Sequence, residues 1–112
     1  MLSGLMKRLT SGASNTIAHD DFVAALKAKS HVLVDVREAG ESSSGHTPGA
    51  VNVPLSRFDP SRIPAGKPVI LYCATGARSG MAVRALQQAG REDAVHYRPG
   101  VMGWRLQGGK LV

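Results

Sequence analysis

Cysteine is almost missing from this sequence, and the single one, Cys73, cannot close an intramolecular disulfide. Nothing therefore points to a cross-linked, secreted scaffold. Aromatic residues are scarce at 4%, which leaves few surfaces on which bases could stack. Acidic residues are outnumbered, 8 against 14 Lys and Arg, for a formal charge of +6. The basic residues are scattered from Lys7 to Lys110 without a dense run, which argues against a nucleic-acid partner and favours small anions or acidic protein surfaces. No stretch approaches the roughly twenty apolar residues of a membrane span. Residues 1–14 carry Lys7 and Arg8 but no sustained apolar run after them, so they make a poor secretory leader. Neither nucleic acid nor membrane is expected as a partner, and the expected location is the cytoplasm.

What is present is ordinary globular composition, 43% apolar and 20% charged, enough for one hydrophobic domain in 112 residues. Residues 1–14, rich in Ser and Gly and without a period, are expected to form a flexible N-terminal arm, with the domain over residues 15–112. Within residues 20–29, Phe22, Val23, Ala25 and Leu26 follow helical spacing, and Asp20 and Asp21 suit the positive end of the helix dipole. Residues 31–36 (HVLVDV) read as a buried parallel strand, and the Gly- and Ser-rich residues 39–45 break the pattern. Residues 51–53 predict a second strand closed by Pro54, and residues 59–67 a Pro-containing connector. Residues 68–72 (PVILY), the most apolar run, deliver the chain to Cys73. Residues 79–89 have helical spacing with Gly90 as a stop, residues 94–97 suit a strand, and residues 101–106 a last short helix. Strands alternating with helices in this way predict an α/β fold with a parallel sheet covered on both faces.

Such sheets place their sites at the carboxyl ends of strands, where Cys73 stands. The segment Cys73-Ala74-Thr75-Gly76-Ala77-Arg78-Ser79 joins a buried strand to a helix, and its small residues allow successive amides to turn inward. An amide nest with a helix N-terminus behind it stabilises an anion, either the Cys73 thiolate or a bound oxyanion. Arg78 adds a permanent positive charge, and Ser79 can donate a hydrogen bond or cap the helix. A thiolate is the nucleophilic form of cysteine, so this setting would activate Cys73. The plainer alternative is a cysteine packed at a strand end beside a tight Gly76 turn.

The pattern Cys73-x-x-Gly76-x-Arg78-Ser79 resembles the active-site loop of the rhodanese family. Three other segments agree in order and spacing: Asp35-Val36-Arg37-Glu38, then Gly45-His46-Thr47-Pro48-Gly49-Ala50 before Val51-Asn52-Val53-Pro54, and Gly100-Val101-Met102-Gly103-Trp104. The resemblance implies a three-layer α/β/α rhodanese-like domain with a central parallel sheet of about five strands. It also implies a thiosulfate sulfurtransferase in which Cys73 and Arg78 are catalytic, and in which residues Ala74, Thr75, Gly76, Ala77, Arg78 and Ser79 bind the anionic donor and stabilise a persulfide. The sulfur would pass to cyanide, a thiol or a protein acceptor, and no metal or organic cofactor is needed. The chain departs from the family pattern at Ser42, where an aromatic residue is common, and at Thr47, where an aliphatic one is; a looser segment is expected there.

Asp35 and Arg37 read either as electrostatic support for the active loop or as a structural ion pair. His46 is read as a turn residue bonding backbone, and Trp104 as a packing residue. Arg98 and Arg105 are read as solvated charges that could widen a positive field. His19, His31 and His96 have no metal-ligand spacing, so no metal site is expected. Three other functions compete. Phosphatases and arsenate reductases also set a cysteine and an arginine around an oxyanion, but with five intervening residues where this chain has four. A non-catalytic interaction module would have no use for both Cys73 and Arg78. A protein sulfur carrier would use the same persulfide.

Overall fold

The computed structural model describes residues 15–112, so the arm expected over residues 1–14 lies outside the described part. Four short strands, β1 (Val32–Asp35), β2 (Val51–Asn52), β3 (Val69–Tyr72) and β4 (Ala94–His96), pair in parallel in the order β2-β1-β3-β4. Helices α1 (His19–Ala28), α2 (Ala39–Ser43), α3 (Ala77–Gln88) and α4 (Gly100–Leu106) occupy the intervening chain. The register sets Asp35 opposite Tyr72 and Leu71 opposite His96, so the carboxyl ends of β1, β3 and β4 lie side by side.

The expected sheet of about five strands has four among the described residues. The fifth is reduced to one bridge, Thr16 beside His96, in which the His96 amide donates to Asn15 O at 2.9 Å and the Ile17 amide to His96 O at 3.1 Å. Pairing stops there because the chain turns into α1 at His19.

Side chains alternate across a strand, and the alternation here builds two cores. On one face Val34, Val36, Val69, Leu71 and Cys73 pack with Ala82, Val83 and Leu86 of α3. On the other, Leu33, Ile70 and Tyr72 pack with Phe22 and Ala25 of α1 and Val101 of α4. Phe22 stacks on Tyr97 with centroids 4.0 Å apart and meets the half-buried Trp104 edge-on at 5.5 Å. Each large apolar side chain so buried stabilises the fold by about 1.5–3 kcal/mol.

Within residues 39–45, expected to break the pattern, the first five instead form α2. The reason is a capping box: the Glu38 side chain accepts from the helix's third amide, while the Glu38 amide donates to Glu41 Oε1 at 3.0 Å. The segment around Ser42 and Thr47 is not loose either, since the two residues are 7% and 1% exposed. Thr47 pays for that burial, because its Oγ1 has no hydrogen-bond partner among the described residues. Helix α3 starts two residues earlier than its apolar spacing predicts, because Gly76 at φ +105° turns the chain directly into it. No described helix is long and apolar enough to cross a membrane.

Candidate active site around Cys73

Cys73 follows β3 and faces α3, and it is 1% exposed. The loop from residue 74 to 76 bends back so that the Gly76 amide points at the sulfur, 3.1 Å away, and the Ser79 amide does so at 3.3 Å. Ser79 Oγ lies 3.5 Å from the same sulfur. Burial works against ionisation of the thiol, but the Ser79 hydroxyl and the amides of Ser79, Gly76 and Thr75 outweigh it. The pKa of Cys73 is therefore held below its ordinary value.

Two glycines make this geometry possible. At Gly76 the left-handed φ excludes most side chains, and a Cβ would stand 2.6 Å from Arg98 O. At Gly100, with φ +67°, a Cβ would collide with the carbonyls of Cys73 and Ala74. Those same carbonyls accept from the first turn of α4, Val101 N at 2.9 Å and Met102 N at 3.2 Å. The Gly100-to-Trp104 motif thus clamps the loop from behind. Thr75 and Ala77 are exposed and Ala74 half-buried, so they form the solvent side of the loop.

Of the six loop residues singled out in the sequence, Gly76 and Ser79 turn hydrogen-bond donors onto the sulfur at the distances given, and Thr75 contributes its amide. Arg78 is in the same turn, but its guanidinium is engaged by Glu41 of α2, with Nη1 2.7 Å from Oε1 and Nη2 3.0 Å from Oε2. The hydrogen bonds from Arg78, and then from the Glu38 amide, pull the Glu41 pKa down to about 2. Both side chains are more than a third exposed, so solvent screens the pair.

Asp35 and Arg37 make a buried bidentate pair, with Arg37 Nη2 2.6 Å and Nε 3.0–3.1 Å from the carboxylate. Arg37 Nη2 also donates to Gly45 O at 2.7 Å. Burial raises the Tyr72 pKa, so its hydroxyl stays protonated, donates to Asp35 at 3.2 Å and accepts from the Thr47 amide at 3.0 Å. Neither member of the ion pair hydrogen-bonds to residues 73–79. They fix Tyr72, the residue before Cys73. His46 Nδ1 is 3.0 Å from Ser42 O, the backbone contact expected of a turn histidine.

Two residues of the site escape a reading of the sequence by motif. Glu41 sits in a segment whose Gly and Ser content hides the Glu38-x-x-Glu41 capping signal. His96, excluded as a metal ligand, instead points its Nδ1 at Ser79 Oγ, 2.8 Å away. Its position two residues after the buried Ala94 on the α3 face was the available signal. Among the described residues no three His, Cys, Asp or Glu side chains gather as metal ligands would.

Comparison with known proteins gives a consistent result. The sequence model of the rhodanese-like domain matches residues 18–107. A protein of Synechocystis, slr1261, is 42% identical over 79 residues, 69% of this chain and 44% of that one, so the chain spans less than half of that relative. A protein of Allochromatium vinosum named a sulfurtransferase is 34% identical over 83 residues, covering 72% of this chain and 78% of that one. The crystal structure of a rhodanese-related protein from Thermoplasma volcanium superimposes with a TM-score of 0.78 at 29% identity, covering 87% of this chain and 96% of that one.

Proposed function

This chain belongs to the rhodanese-like domain family, and from that premise we propose that it is a sulfurtransferase working through a persulfide on Cys73, with thiosulfate or a related sulfane compound as donor. The observation that supports this most is the convergence of the Gly76 and Ser79 amides on one sulfur atom, with the Ser79 hydroxyl beside it. A cysteine that served only as a small apolar filler would have no need of two amide donors aimed at its sulfur.

In the first half-reaction the Cys73 thiolate attacks the outer sulfur of thiosulfate. The S–S bond breaks, and sulfite leaves with the electron pair. In the second, cyanide or an acceptor thiolate attacks the outer persulfide sulfur and returns Cys73 as thiolate. The amides of the loop hold the negative charge in both resting forms, and no metal or organic cofactor takes part. Arg78, with Glu41 beside it, contributes positive charge at the mouth for the anionic donor. Asp35 and Arg37 act at one remove, by holding Tyr72. A protein acceptor fits the same chemistry, and a thiol-rich compartment such as the cytoplasm would supply acceptors.

Steady-state kinetics with thiosulfate and cyanide test the proposal. Double-substitution chemistry predicts parallel double-reciprocal lines, and Cys73→Ser should reduce turnover to background with unfolding free energy within about 1 kcal/mol of the parent. Intersecting lines, or turnover in the serine variant, would exclude Cys73 as the carrier.

A further inference from the structure

His96 ends β4 on the face turned to α3, is 7% exposed, and has its amide and carbonyl both bonded to the segment of residues 15–17. Its ring lies over Gly80, where a Cβ would be 3.5 Å from Cε1, and its Nδ1 is 2.8 Å from Ser79 Oγ. Ser79 Oγ is surrounded by three groups and has one proton to give. They are His96 Nδ1, the Gly76 carbonyl at 3.3 Å and the Cys73 sulfur at 3.5 Å. The carbonyl can only accept. The carbonyl and the sulfur therefore compete for the Ser79 proton, and His96 Nδ1 decides whether that proton is kept for them or given to the ring.

We propose that His96 is a positioning residue for the nucleophile: carrying its proton on Nδ1, it donates to Ser79 Oγ and leaves the Ser79 O–H free to swing from the Gly76 carbonyl onto an ionised Cys73 sulfur, whose charge makes it the stronger acceptor, stabilising the thiolate and the persulfide. With the proton on Nε2 instead, Nδ1 would take the Ser79 proton, and the hydroxyl would present a lone pair that suits only the neutral thiol. Ionisation of Cys73 and the tautomer of His96 are thereby coupled through one hydroxyl.

The surroundings keep the ring neutral and so leave this choice of tautomer open. Burial, then the like charges of Arg98 beyond β4 and Arg84 on α3, lower the His96 pKa. Among the described residues no other charge acts on it, and the group it faces through Ser79 is Cys73. The inference rests on the reading of Cys73 as the nucleophile.

The test is the pH dependence of Cys73 alkylation by iodoacetamide. In His96→Ala the midpoint should rise by about half a pH unit, a roughly threefold fall in rate at pH 7. His96→Asn, whose amide can donate from nearly the same place, should restore most of the rate. In a Ser79→Ala background, His96→Ala should change little. A folded His96→Ala protein with an unmoved midpoint, or an equal effect with and without Ser79, would overturn the inference. Nitrogen-15 shifts of the His96 ring in the wild-type protein provide a check that needs no variant. The Nδ1–H form is expected above the Cys73 midpoint, and an Nε2–H ring there would be decisive against it. A wild-type Cys73 that alkylates like an ordinary thiol and takes up no sulfur would instead defeat the reading of Cys73 itself.

Discussion

At the scale of single residues, hydrogen bonds left unmade are as informative as those made. Thr47 Oγ1 is buried without a partner among the described residues, while the Thr47 amide is held by Tyr72. Valine has the same shape without the hydroxyl, so Thr47→Val should stabilise the protein by about 1–2 kcal/mol, seen as a higher denaturant midpoint with unchanged slope. A lower midpoint would mean that the hydroxyl has a partner. Arg78 is the opposite case, a charge already paired. Because the pair with Glu41 is solvent-screened, Arg78→Ala should cost at most about 1 kcal/mol of stability, yet raise KM for thiosulfate about tenfold if the guanidinium attracts the donor. A loss of fold before any kinetic defect would make Arg78 structural. Glu41 has a lowered pKa, so what the pair contributes is fully present above about pH 4.5 and fades as pH falls towards about 2. Acid titration of Glu41→Gln should lack that component.

At the scale of elements, the loop after Cys73 keeps its shape because neighbours close in on its glycine. Gly76→Ala meets both a left-handed φ and the Arg98 carbonyl at 2.6 Å, and should cost about 1–3 kcal/mol while slowing sulfur uptake. Thermal unfolding and single-turnover persulfidation measured on the same sample check both effects. An alanine variant with normal uptake would show that the loop tolerates displacement. Much of this element was legible beforehand: the apolar run ending in Tyr72, the small residues after Cys73 and the period of α3 each follow from local chemistry. Helix α2 was not, because Gly40 and three serines mask a helix that the reciprocal Glu38–Glu41 cap stabilises. Glu41 beside Arg78 and His96 beside Ser79 were hidden for another reason. Each partnership joins residues on different strands or helices, and spacing along the chain says nothing about which strand ends become neighbours.

At the scale of the whole molecule, the parallel sheet brings three strand ends to one edge, and the site is assembled from what each delivers: Asp35 from β1, Cys73 after β3, His96 from β4. The core under α3 holds the sulfur in an apolar wall, while the core under α1 and α4 supplies the Gly100 turn that clamps the loop from the other side. The proposed sulfur transfer would use this division, with charge on the sulfur held by fixed amides against an apolar wall. Mass spectrometry of the intact native protein before and after incubation with thiosulfate is the most direct measurement of that role. Thiosulfate should add one sulfur atom, peptide mapping should place it on Cys73, and cyanide should remove it as thiocyanate. A protein whose mass is unchanged by thiosulfate and by other sulfane donors would have a buried cysteine in a rhodanese-like fold, and no sulfur carrier.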